Sequence, residues 1–176
     1  MFEENYVIVD LETTGLSPIN NEIIEIGAIK VKDHQIIDRL DILVKPENQV
    51  SPFITRLTGI TNDMLKDAME IKDALRKFMD FTGSSTLMAH NANFDMGFLR
   101  NNFQKHFEYT LENKCLDTLA LSRKYVKGIK NYKLETLANH FHVNYSGAHR
   151  SLKDCEITYE VYQNIKEIYN KNTSID

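Results

Sequence analysis

Apolar residues change their spacing along this chain. Early on they form short β-branched runs, and from Ile71 onward they recur every three or four positions. Tyr6–Asp10 (YVIVD) fits a buried strand. Glu22–Val31, rich in isoleucine, predicts a second strand and Gln35–Val44 a third. The short polar link Lys32-Asp33-His34 makes these two an antiparallel hairpin. Thr13–Pro18 reads as a turn, and Pro46 and Pro52 bracket a loop. The spacing of Ile71, Ala74, Leu75, Phe78 and Met79 predicts a helix. Thr86–His90 follows as a compact strand, then Asp95–Phe107 as a helix burying Phe98, Leu99 and Phe103. Leu116–Tyr125 and Leu134–Phe141 predict two more helices, and Thr158, Val161, Tyr162, Ile165, Ile168 and Tyr169 stripe a last one. Strands first and helices after, with one strand among them, predict an α/β fold: a mixed sheet flanked by helices. Without repeats or linkers, residues 1–170 are expected to form one domain, and 171–176 a polar C-terminal tail.

Composition narrows the class. At 176 residues the chain can bury a full core, and its apolar and charged fractions are those of a globular protein. The start, MFEENYVIVD, lacks the basic and apolar regions of a signal peptide, and no apolar run approaches a membrane span. A cytoplasmic location with no membrane partner is the expectation. Cys115 and Cys155, far apart and in no CxxC pair, are expected to be free thiols. A net charge of −4 is unusual for a nucleic-acid binder. Acids that hold metal ions would be offset locally, and the positive charge is uneven. Arg123–Lys133 carries five cations and no acid. Such a segment is either a phosphate-facing strip or a solvated helix end and loop.

The candidate chemistry lies in four short stretches. Asp10 and Glu12 are two apart on a strand and project from one face. They are either a metal-holding pair or solvent-facing acids on an edge strand. Asp95 near a helix start and Asp154 in the first turns of the last helix also suit those positions as helix-stabilising acids. His149 lies in the loop before that helix, where it could swing over a carboxylate, and its ordinary pKa suits a general base. Four carboxylates and one imidazole are the groups a two-metal phosphodiesterase needs. Arg150 has no assigned role.

Taken in order, DLETTG, HNANFD and HRSLKD resemble the DnaQ-like DEDD exonuclease family, in its histidine subclass (DEDDh). LTGIT at Leu57–Thr61 and LETLANHF at Leu134–Phe141 look like that family's connecting segments, so the likeness covers Tyr6 to about Tyr162. The nearest group in flavour is the epsilon-type proofreading subunits and exonuclease domains of bacterial replicative DNA polymerase III.

The resemblance implies a ribonuclease-H-like fold with a mixed five-stranded sheet. It implies hydrolysis of DNA from a free 3′ end to 5′-mononucleotides, in proofreading or repair. Asp10, Glu12 and Asp154 would hold two divalent ions, magnesium or manganese, with Asp95 joining directly or through water, and His149 would be the general base. Thr13 would contact the 3′-hydroxyl, Leu16 would pack on the terminal base, and His90, Asn91 and Phe94 would line the pocket. A single-stranded or frayed 3′ end is the implied partner, with a DNA polymerase subunit as another. The alternatives are the same chemistry on RNA, and a non-catalytic module that binds a 3′ end or a polymerase.

Overall fold

The computed structural model describes residues 2–173. Its strands are β1 (Tyr6–Thr13), β2 (Ile23–Lys32), β3 (Gln35–Leu43), β4 (Leu87–Ala89) and β5 (Cys115–Asp117). Among the described residues, seven helices accompany them: α1 (Pro52–Thr58), α2 (Asn62–Leu65), α3 (Ile71–Thr82), α4 (Ala92–Phe107), α5 (Thr118–Tyr125), α6 (Leu134–His140) and α7 (Ser151–Thr173). The sheet runs β3-β2-β1-β4-β5. The β1, β2 and β3 pairings are antiparallel, while β1–β4 and β4–β5 are parallel. The expected α/β fold, a mixed five-stranded sheet flanked by helices, is therefore present.

Three local readings change. The segment opening at Pro52 is a helix rather than loop. Ser51 Oγ accepts the Ile54 N–H, Pro52 takes the first helical turn, where it forfeits no bond, and Gly59 closes the helix at φ 74°. Leu116 belongs to β5, a strand of three residues and too short for any periodicity to register. The last helix runs to Thr173, three residues into the expected tail, and residues 174–176 lie outside the described residues.

Alternation along β1 sorts the core. Val7, Val9 and Leu11 pack with α3 and α4 against Phe78, Phe98 and Phe103. Burying each such ring contributes roughly 1.5–3 kcal/mol. Tyr6 and Ile8 point the other way, toward Cys155 and Tyr162 of α7. The next residues on that second face are Asp10 and Glu12. The face thus turns from apolar to acidic at the carboxyl end of the strand. There β1 has an antiparallel neighbour on one side and a parallel crossover neighbour on the other, the place where open α/β sheets leave a crevice. Both cysteines are free thiols, Cys155 buried and Cys115 half-buried. Among the described residues no helix is long and apolar enough to cross a membrane.

Candidate active site

Strand β1 outlasts β4, and the site grows from that mismatch. The Val7 N–H donates to the Thr86 carbonyl (2.9 Å), but the parallel ladder ends at Ile8 opposite Met88. Leu11, an even number of residues on, points its N–H the same way and finds no strand. It donates instead to Asp95 Oδ1 (3.1 Å), in the first turn of α4. Asp95 is therefore fixed beside Asp10 by an amide that the sheet left over.

Asp154 arrives from the other face. Gly27 lies opposite Asp10 in the β1–β2 register, and the N-terminus of α7 rests on it. A Cβ on Gly27 would stand 2.5 Å from the Leu152 nitrogen, so only glycine allows the approach. Asp154 Oδ2 accepts the His149 N–H (3.2 Å), while its buried Oδ1 has no hydrogen-bond partner among the described residues. Oxygens of Asp10, Glu12 and Asp154 lie within 4.8 Å of one another. Contrary to the edge-strand alternative, β1 is the central strand and these acids are at least half buried.

Each of the four acids is harder to ionise than usual. Burial pushes Asp10 well above its ordinary range, and Asp95, Asp154 and Glu12 add repulsion. Glu12 is pushed up to about 8 by burial, then by Asp154 and Glu25. Asp95 rises to about 8 through burial, against the opposing effect of its backbone hydrogen bonds. Asp154 is raised by burial, partly offset by its bond from His149. An orphaned buried oxygen, an all-carboxylate donor set and mutual repulsion together fit a site for hard divalent cations.

His149 is exposed, with its backbone in the left-handed region at φ 65° and its ring 6.3 Å from that of Tyr145. The remaining predicted residues fare differently. Thr13 is buried and donates its hydroxyl to the Gly15 carbonyl (2.7 Å), while Leu16 is 85% exposed in the loop beyond. His90 is held at both ring nitrogens, 2.9 Å from Thr118 Oγ1 and 2.9 Å from the Tyr132 carbonyl. Burial lowers its pKa, which suits a neutral ring donating to that carbonyl. Asn91, at φ 68°, donates its N–H to Asp117 Oδ1 (3.0 Å). Phe94 is half buried against the main core, its ring 5.1 Å from that of Phe98.

Sequence reasoning missed Glu25. It sits opposite Glu12 in the register, wholly buried, and it accepts from Arg150 and from the Ser151 N–H (2.8 Å). A signal was available: an acid inside the isoleucine run of Ile23–Ile29 must find a partner when buried. The basic segment also finds a place. Arg123 and Lys133, with Asn131 and Tyr132, line a cavity of about 520 Å³ together with His90 and Asn91. Among the described residues, none of its five cations is in an ion pair.

Residues 7–162 match the family described as Exonuclease (RNase_T). The chain belongs to the exonuclease family. Its relatives include the PolC-type DNA polymerase III of Caldanaerobacter subterraneus subsp. tengcongensis, 46% identical over 98% of this chain, and that of Bacillus subtilis, 43% identical over 89%. This exonuclease chain spans 12% of the length of the first and 11% of the second. Exonuclease X in complex with 5′ overhanging duplex DNA has a similar structure, with TM-score 0.75 and 29% identity over 92% of this chain and 91% of that one. E. coli Exonuclease I in complex with a dT13 oligonucleotide shares the fold, with TM-score 0.83 at 18% identity over 98% of this chain and 43% of that one. The DnaQ-like resemblance and the ribonuclease-H-like fold are thereby borne out.

Proposed function

We propose that this chain removes nucleotides from free 3′ ends of DNA, in proofreading or repair, in the cytoplasm and in association with a DNA polymerase. The observation that carries the reading is the convergence of Asp10, Glu12 and Asp154 within 4.8 Å, each acid difficult to ionise without a cation. These three would hold two divalent ions directly, and Asp95 would join directly or through water. Bound there, magnesium or manganese offsets the acids and stabilises charge on the attacking and leaving oxygens. His149, exposed beside Asp154, takes a proton from the attacking water. The water oxygen bonds to the terminal phosphorus, the bond to the preceding 3′ oxygen breaks, and a 5′-mononucleotide leaves. Thr13 and Leu16 meet the terminal 3′-hydroxyl and base, while His90, Asn91 and Phe94 shape the pocket wall. Relatives named DNA polymerase III favour DNA and a polymerase partner. The unpaired cations of Arg123–Lys133 suit a phosphate backbone running past His90 and Asn91.

The deciding experiment incubates the purified protein with single-stranded DNA, 3′-recessed duplex and a matched RNA, in magnesium and in chelator. Stepwise shortening of DNA from its 3′ end, lost in chelator, is the expected result, and faster removal of a mismatched terminus marks proofreading. Shortening of RNA alone moves the substrate to RNA. Failure to shorten any of them overturns the catalytic reading and leaves a binding module.

A further inference from the structure

Among the acids clustered around the carboxyl end of β1, Glu25 is already committed to protein partners. Its side chain is fully buried, with Oε1 accepting from Arg150 Nε (2.9 Å) and Nη2, and Oε2 accepting the Ser151 N–H (2.8 Å). With both oxygens engaged it is not left to hold a cation. What it holds is the chain segment 149–151. His149 there adopts a left-handed backbone (φ 65°), which a non-glycine residue keeps only where its surroundings over-determine it. One restraint is Asp154, which accepts the His149 N–H and donates its own N–H to the Arg150 carbonyl (2.9 Å). The other is Glu25, reaching across from the middle of the sheet to the two residues that follow.

We propose that Glu25 and Arg150 form a positioning pair that fixes the His149 imidazole over the carboxylate cluster, so that Arg150 acts through His149 and not on the substrate. The inference rests on His149 as the general base. Arg150 stands one residue from His149, and its guanidinium can grip one carboxylate at two nitrogens in a way a lysine cannot. Its side chain is 39% exposed, which leaves a direct contact with substrate phosphate as the rival to be tested.

The test uses the full chain, magnesium and a 3′-end-labelled single-stranded DNA, reading kcat, KM and affinity for manganese. Variants are Arg150→Met, Arg150→Lys, Glu25→Gln, His149→Ala and the double variant His149→Ala/Arg150→Met. Gln at position 25 keeps an acceptor for the Ser151 N–H while losing the ion pair. Misplacing a reacting group by about 1 Å costs on the order of 100-fold, so Arg150→Met and Glu25→Gln should lose tenfold or more in kcat. KM and manganese affinity should stay within about twofold, because that pattern removes only transition-state stabilisation. Arg150→Lys should recover part of the rate. In the His149→Ala background, Arg150→Met should cost nothing further. An equal loss in both backgrounds, a raised KM or weakened manganese binding overturns the proposal. If Arg150→Met proves too unstable, Glu25→Gln/Arg150→Met removes the buried charge with its partner and is read in the same way. A fully active His149→Ala enzyme overturns the general base and this inference together. A crippled His149→Ala enzyme beside an undiminished Arg150→Met enzyme overturns this inference alone.

Discussion

Glu12 on β1 and Glu25 on β2 face each other across one rung of the sheet, on the same side, under the same helix. Glu25 is buried with a guanidinium and a backbone amide. Glu12 is half buried among other acids, and Arg150, a nearby cation that lowers its pKa, is already bound to Glu25. The difference is one of unfinished electrostatics. A buried carboxylate with a partner belongs to the scaffold, whereas one without a partner is a demand for a positive charge from outside the chain.

The largest break in that comparison is in rate. Glu12→Gln should lower kcat about 10²–10³-fold, the scale of removing one preorganised electrostatic group, and Asp10→Asn should match it. Glu25→Gln should lose less and keep its metal affinity. Stability should break the other way. Arg150→Ala leaves buried Glu25 without its counter-charge and should cost about 3 kcal/mol in chemical denaturation, near the lower end for a severed buried pair. Smaller again, magnesium at a hundred times its dissociation constant should stabilise the protein by about 2.7 kcal/mol. That is a rise of roughly 5–10 °C in melting temperature for a chain of this size. No rise at millimolar metal would count against the site.

The pH dependence sharpens the contrast further. Folded Glu12 titrates at about 8 and its unfolded counterpart near 4.5. Between those values the folded chain holds a proton that the unfolded chain has lost, so raising the pH favours unfolding. Asp95, shifted from 3.8 to about 8, acts in the same direction. In the metal-free protein the contribution of these two acids should therefore be present at low pH and be lost as pH rises from 4.5 through 8, as thermal melts in chelator would read. Saturating magnesium should flatten that slope. The smallest effect is a modest rise in the chelator-treated melting temperature of Glu12→Gln near neutral pH, since folding no longer has to protonate that position.

How much of this was legible beforehand varied with range. The isoleucine runs of β2 and β3 and the stripes of α3 and α7 follow from periodicity, because burial on one face imposes it locally. Strand β5 escaped because three residues carry no period, and α1 because Pro46 and Pro52 looked like loop punctuation although proline suits a first helical turn. The spacing of Asp10 and Glu12 put them on one face without any structure. Glu25 escaped because its partners lie more than a hundred residues away.

The sequence by itself determined the residue types and their order: acids on a strand, acids at two helix starts, a histidine in the loop before the last. Side-chain alternation and helix-start chemistry are local, so they can be read along the chain. Only the tertiary structure decided which acids share an environment. That required β1 to outlast β4 so that the Leu11 amide could hold Asp95, and Gly27 to give room for α7 and Asp154. It also required Glu25 to find Arg150, leaving Glu12 with no ion pair of its own among the described residues. Burial and Coulomb repulsion depend on distances through space, and sequence spacing does not contain them.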